Sequence, residues 1–113
     1  MTNSIRERRL LSPEFEAALL NGVLQPLLGL VQRDRDLIAE IRINLLDVYC
    51  KGQRLLSVWP VKNGAYRFQS DKAFWSQEAV SFDTREAVQS FCDGTVPFIK
   101  QRIAEHSHIG KEI

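Results

Sequence analysis

The chain of 113 residues has little cysteine and little histidine, the residues that most often hold a structural metal. Its two cysteines, Cys50 and Cys92, form no CxxC pair and have no histidine beside them. A zinc site needs clustered thiolate and imidazole ligands, so we predict none. Free cysteines among apolar residues are usually buried thiols, and we favour that interpretation over a disulfide, which a core of this size does not need.

Long apolar runs, glycine-rich loops and an excess of one charge are also missing. No segment reaches the about 20 apolar residues of a membrane-spanning helix, and no secretory signal follows Arg6, Arg8 and Arg9, so we expect no membrane partner and a cytoplasmic location. The six glycines are scattered, without a phosphate-binding loop, and we predict no cofactor. A net charge of +1 argues against a nucleic-acid binder that relies on bulk charge, although it leaves room for a local basic patch.

The composition is that of one folded domain. A hydrophobic fraction of 44% and a charged fraction of 26% argue against disorder, and the length suits a single core. We predict a flexible N-terminus over residues 1–11 and a single α+β domain over residues 12–113. The clearest secondary-structure pattern of that domain lies in residues 37–70.

Helical patterns lie on both sides of residues 37–69. Ser12-Pro13-Glu14 has the composition of a helix start, and a second helix is predicted over residues 23–33 from leucines at helical spacing. Core packing is the favoured interpretation of that leucine stripe over a partner-binding face. After the sheet, Asp83 and Glu86 form a capping-box pattern, and Asp93-Gly94 predicts a break or kink in the C-terminal helix.

Apolar and polar residues alternate over residues 37–69, which is the pattern of strands with one buried and one wet face. Four strands are predicted at about 37–43, 45–50, 54–60 and 65–69. Lys51-Gly52 and Asn63-Gly64 are typical hairpin turns. The sequence therefore predicts a four-stranded antiparallel meander, flanked by N-terminal helices and a kinked C-terminal helix. Residues 70–82 stay undecided, with a lid over one sheet edge as one possibility.

No complete catalytic constellation is visible. A PD-(D/E)XK nuclease begins with a similar order of elements and needs an Asp on one strand and ExK on the next, to hold a divalent metal. Asp47 lies on the second predicted strand, but the third has no acid, and Glu40 precedes Asp47. We favour cross-strand pairing of both acids with cations and keep a metal-dependent nuclease using Asp47 and Glu40 as the alternative. His106 and His108 could ligate a metal together with Glu105, but we favour an exposed helix end as their explanation.

The wet face of the predicted sheet combines cations with aromatic rings. Such a mixture suits stacked bases and phosphates, and it equally suits a protein interface. A third interpretation is that Phe74 and Trp75, or the N-terminal helix, cover the rings. The candidate binding residues are Arg42, Tyr49, Lys51, Trp59 and Arg67, flanked by Arg54 and Lys62.

A [KR]G hairpin, an aromatic strand and an Asp-Lys-x-Phe-Trp segment follow one another in this chain. The matching residues are Tyr49, Lys51, Gly52, Leu55, Leu56, Tyr66, Phe68, Asp71, Lys72, Phe74 and Trp75. The pattern resembles the N-terminal region of a group of uncharacterised bacterial proteins whose longer members are similar to PD-(D/E)XK nucleases further downstream. Because the chain ends at Ile113, before such a segment, the resemblance implies an accessory domain and carries over no catalytic residue.

The sequence thus predicts a non-catalytic accessory or binding domain that binds a protein or nucleic acid, within a larger nuclease-like protein. The alternatives are the nuclease using Asp47 and Glu40 and a self-associating structural domain, which would form a homo-oligomer.

Overall fold

A computed structural model describes residues 5–7, 22–42 and 44–111 of the chain, and their side chains over 22–42 and 44–106. The architecture is α+β, with an antiparallel sheet and a C-terminal helix, as the sequence predicts. The first predicted helix, beginning at Ser12, lies outside the described residues. The elements are β1 (Ile5–Glu7), α1 (Gln25–Arg33), β2 (Leu37–Arg42), β3 (Leu45–Cys50), β4 (Gln53–Pro60), a 3₁₀ turn (Lys62–Gly64), β5 (Tyr66–Gln69), β6 (Val80–Phe82), α2 (Arg85–Ser90), a π-helical turn (Phe91–Thr95) and α3 (Val96–Lys111).

The six strands of the sheet are ordered as they occur in the chain. Strands β2 to β6 form an antiparallel meander of five strands, so the predicted count of four is wrong. The additional strand, β6, comes from the undecided residues 70–82, and its three residues are too few for an alternating pattern to be recognised. On the opposite edge, β1 pairs in parallel with β2, within the stretch predicted to be a flexible N-terminus.

Hairpin turns join the central strands where the sequence predicts them. Lys51 and Gly52 both have positive φ, at 53° and 82°, as do Asn63 and Gly64, at 68° and 75°. Consecutive positive φ values give the turn a twist that matches the right-handed twist of the flanking strands. These turns fix which side chains of β3, β4 and β5 share a face.

The inner face of the sheet packs against the helices. Its alternating apolar side chains join those of α1, α2, the π-helical turn and α3 in one core. That core includes Leu27, Val31, Leu46, Val48, Leu56, Val58, Tyr66, Phe68, Val88, Phe91, Ile99 and Ile103, all under 5% exposed. Cys50 and Cys92 are free and buried, as favoured from the sequence. Burial raises the pKa of both thiols, and the Asp93 charge adds to it for Cys92, whose pKa rises to about 12.

The C-terminal helical segment continues through Asp93-Gly94 without a break. Where the sequence predicts a break or kink, the structure has the π-helical turn, whose hydrogen-bonded rings are wider than those of α2 and α3. Pro97, which lacks an amide hydrogen, follows directly where the regular ladder is already interrupted. The helix cap is Thr84 and not Asp83, because the Thr84 hydroxyl accepts a hydrogen bond from the Ala87 amide at 3.1 Å. Among the described residues, none of the helices has the length and apolar character required to span a membrane.

A cluster of charges ties α3 to the turn between α1 and β2. The Lys100 ammonium lies 2.8 Å from an Asp34 carboxylate oxygen and 3.0 Å from one of Asp36. Burial raises the pKa of Asp34, but the Lys100 hydrogen bond, the Asp36 amide and the Lys100 charge outweigh it, so the pKa lies below its usual value. The same hydrogen bond to Asp34 raises the pKa of Lys100.

We expect Lys100→Met to lower the free energy of unfolding by about 1 kcal/mol at neutral pH, since partly exposed ion pairs are weak and this one is doubled. Asp34, whose folded pKa is depressed, stabilises above its unfolded value near 3.8 and loses that contribution as the pH falls through the folded pKa. The difference between wild type and variant should therefore shrink in acid, measured by urea unfolding at several pH values. Lys62→Met, at an exposed turn lysine, is the control, and an equal loss in both variants would contradict the assignment.

Candidate binding surface on the outer face of the sheet

The outer face of the sheet is the side of β2 to β5 opposite the helices. Alternation along each strand directs a second set of side chains to it, and these are mostly polar or aromatic. They are Ile38, Glu40, Arg42, Asp47, Tyr49, Arg54, Ser57, Trp59, Arg67 and Gln69. Arg54, Arg67 and Gln69 are exposed, whereas both rings are half-buried and so present part of their surface to solvent.

Two aromatic–arginine pairs dominate this face. Trp59 on β4 lies directly opposite Arg67 on β5, and Tyr49 on β3 lies directly opposite Arg54 on β4. Directly paired side chains of neighbouring strands start from Cβ atoms about 5 Å apart. The two pairs are four residues apart along the strands, about 13 Å at the usual rise. Each ring thus has a cation within reach on the same face.

A β-bulge creates the second pair. The register between β3 and β4 shifts after Val48, which pairs with Leu56, so that Tyr49 pairs with Arg54 and Leu55 is the additional residue. A regular ladder would place Leu55 opposite Tyr49. The bulge lets both Leu55 and Leu56 be fully buried, which explains why β4 is apolar at consecutive positions. The bulge also places Arg54 directly opposite Tyr49, whereas the sequence suggests only that Arg54 flanks the surface.

Asp47 is fully buried between the two pairs, contrary to its predicted exposure on the wet face. One carboxylate oxygen accepts a hydrogen bond from the Ser57 hydroxyl at 2.6 Å, and the other accepts one from the Arg42 guanidinium. This hydrogen bond and the Asp47 charge raise the pKa of Arg42. Neighbouring strands supply the partners that make burial of the carboxylate possible. Arg42 is therefore occupied with Asp47 and contributes less free charge to the surface than the sequence suggests.

The same contacts bear on the nuclease alternative. Glu40 and Asp47 are direct cross-strand neighbours, as two metal-binding carboxylates would be. However, both Asp47 oxygens are engaged, and the Arg42 Nε lies 3.9 Å from Glu40, so a cation already stands between the two acids. Within the described part of the chain no three His, Cys, Asp or Glu side chains gather at one place. The geometry is that of a cross-strand ion pair, which the sequence favoured.

Phe74 and Trp75 do not cover the two rings. Trp75 packs against Phe91 on the inner side of the sheet, with ring centroids 5.5 Å apart, and Phe74 packs edge-on against His106 at the same distance. The interpretation that Phe74 and Trp75 cover the rings of Tyr49 and Trp59 is therefore wrong. The other, coverage by the first predicted helix, concerns residues outside those described.

The remaining predicted residue, Lys51, is exposed in the turn between β3 and β4. It lies at the Tyr49 end of the outer face, next to a shallow cleft of about 310 Å³ lined by Ile38, Glu40, Tyr49 and Gly52. The structure therefore groups Lys51 with Tyr49 and Arg54, and Arg67 with Trp59. The chain matches no protein-family model, and it has no significant match among curated proteins or among solved structures.

Proposed function

We propose that this domain is a non-catalytic module that binds single-stranded nucleic acid on the outer face of its sheet. The observation that carries the proposal is the presence of two aromatic–arginine pairs on one face, Trp59 with Arg67 and Tyr49 with Arg54. Aromatic rings stack on bases of any sequence, and neighbouring cations attract the phosphates. Proteins that bind single strands on an open antiparallel sheet use the same combination.

Single-stranded nucleic acid fits this surface better than a duplex or a protein does. A duplex hides the faces of its bases and is held mainly through phosphate charge, for which a net charge of +1 offers little. Protein interfaces are also enriched in Tyr, Trp and Arg, but they are depleted in Lys, whereas this surface includes the exposed Lys51. The accessory role implied by the resemblance to nuclease-like bacterial proteins agrees with a module that holds a strand without cleaving it.

The engagement of Asp47 supports the non-catalytic part of the proposal. A general base or metal ligand needs a free oxygen directed at the substrate. Both Asp47 oxygens are instead hydrogen-bonded within the sheet, and the side chain has no exposed surface. The proposed role of this network is to hold β2, β3 and β4 in register beneath the surface.

Trp59→Ala and Tyr49→Ala should each weaken the binding of a labelled oligo-dT strand by about 5-fold to 150-fold, because each base–ring stack is worth roughly 1–3 kcal/mol. Fluorescence anisotropy at low salt measures the affinity, and circular dichroism checks that each variant is folded.

Phe98→Ala is the matched control. Phe98 is also exposed and also has an arginine near its ring, with the Arg102 guanidinium carbon 6.0 Å from the centroid, but it lies on α3. It should leave the affinity unchanged. Full affinity in the Trp59→Ala/Tyr49→Ala double variant would show that the outer face is the wrong surface. Absence of binding by the wild-type chain to both oligo-dT and oligo-rU would refute the proposed function.

A further inference from the structure

A polar groove runs along the outer face beside β5. One cleft of about 360 Å³ is lined by residues that include Arg54, Ser57 and Gln69. A second cleft of about 370 Å³ is lined by residues that include Arg67 and Glu78. The two clefts share the lining residues Gln69, Ser70 and Lys72, so they adjoin each other, and we name them together the β5 groove.

The ends of the β5 groove coincide with the two aromatic–arginine pairs. Arg54, the partner of Tyr49, lines one end, and Arg67, the partner of Trp59, lines the other. Lys72 lines both clefts and therefore supplies a third cation between them. Three cations along one groove, with a ring beside the outer two, match the chemistry of a strand whose phosphates and bases are contacted in parallel.

Two acids also line the groove, Asp71 in the first cleft and Glu78 in the second. A carboxylate oxygen of Asp71 accepts a hydrogen bond from the Ala73 amide at 2.9 Å, and the Asp71 carbonyl accepts from the amides of Phe74 and Trp75. Asp71 thus closes the turn that carries Lys72, and one of its carboxylate oxygens is engaged by the Ala73 amide. The three cations outnumber the two acids, and the remaining lining residues are neutral, namely Ser57, Gln69, Ser70, Gln77 and Ala79.

We infer that the β5 groove holds the phosphodiester backbone of the bound strand, with Arg54, Lys72 and Arg67 as its phosphate contacts. The inference rests on the proposed function and adds to it the path of the strand. The backbone runs along β5 from Arg54 to Arg67, and the bases turn toward Tyr49 and Trp59. Because a phosphodiester backbone is common to DNA and RNA, both should compete for this groove.

The test is the salt dependence of binding by the full chain, measured with labelled oligo-dT and with labelled oligo-rU. A phosphate contact to a single strand contributes about 0.7 to the slope of log affinity against log salt. Because the slope is negative, Arg54→Gln, Lys72→Gln and Arg67→Gln should each reduce its magnitude by about 0.7. The triple variant should reduce it by about 2. Trp59→Ala should weaken binding without changing the slope, because stacking releases no counterions.

Arg102→Gln is the matched control, since this exposed arginine lies on α3, on the opposite side of the sheet, and lines neither cleft. Its slope should equal that of wild type. If the wild-type chain binds and the triple variant keeps the wild-type slope, the β5 groove is not the backbone path, and the proposed function stands. If the wild-type chain binds neither oligonucleotide, the proposed function and this inference both fall. A contact to phosphate predicts that the groove variants reduce the magnitude of the slope equally for oligo-dT and oligo-rU. A reduction with only one of the two oligonucleotides would contradict such a contact.

Discussion

Arg42→Met is expected to lower the free energy of unfolding by about 3 kcal/mol, because it leaves the Asp47 carboxylate buried without its cation. Asp47 has no exposed surface, and the Ser57 hydroxyl would be the remaining one of its two described hydrogen-bond donors. Methionine keeps much of the length and packing of the arginine stem, so the change isolates the lost charge. We place the effect at the low end of the usual range because the Arg42 side chain is 42% exposed. Urea unfolding followed by circular dichroism measures it.

Arg67→Met provides the control for this prediction. Arg67 is an exposed arginine of the same face, and no ion pair is found for it among the described residues, so its replacement should change stability by about 0.5 kcal/mol or less. The double variant Arg42→Met/Asp47→Leu removes both charges and should recover most of the loss. If Arg42→Met and Arg67→Met unfolded at the same urea concentration, the buried pair would not be a determinant of stability.

The alternation of apolar and polar residues was sufficient to predict the inner face of the sheet. Ala39, Val48 and Phe68 all occupy the inner positions that their place in the pattern predicts, and all are fully buried. The signal is strong here because burial of one face against helices demands apolar residues at every second position. Both hairpin turns were also predicted from the sequence, because Gly52 and Gly64 adopt positive φ at no steric cost.

The bulge in β4 could not be predicted from the pattern. Leu55 and Leu56 are both apolar, so the sequence shows that β4 loses its alternation but not which of the two is the additional residue. Only the pairing with β3 decides this, and that pairing determines whether Leu55 or Arg54 stands opposite Tyr49. The pairing of Tyr49 with Arg54 therefore depends on a strand register that cannot be predicted from the sequence of β4 alone.

Asp47 illustrates a second limit of the sequence. Its position in β3 correctly assigns it to the polar face, yet its burial depends on Arg42 from β2 and Ser57 from β4. A single strand carries no information about which neighbours approach from either side. The nuclease hypothesis arose from residue types and strand order, and it was weakened by these contacts. Residue spacing can nominate a carboxylate for chemistry, but its hydrogen-bond partners determine whether an oxygen remains available.

Phe91→Ala should produce the largest loss of stability in this set, about 4 kcal/mol, because it empties the centre of an aromatic cluster. The Phe91 ring lies 5.0 Å from Phe68, 5.3 Å from Phe82 and 5.5 Å from Trp75. These partners come from β5, from β6 and from the segment between them, so one side chain links the sheet edge to the helices. Phe91 is also the first residue of the π-helical turn.

The unfolding free energy of the Phe91→Ala variant can be measured by urea titration followed by circular dichroism. Phe91→Leu should recover more than half of the loss, since it refills most of the volume while it removes the ring contacts. Phe98→Ala, at a phenylalanine that is 51% exposed, should cost about 0.5 kcal/mol or less. Equal costs at Phe91 and Phe98 would mean that the aromatic cluster does not hold β6 and the π-helical turn against the sheet. If Phe91→Ala is costly, Phe98→Ala is not, and Phe91→Leu restores most of the loss, the stabilisation by Phe91 comes mainly from the volume that its side chain fills. The ring–ring contacts would then contribute the smaller part of the free energy.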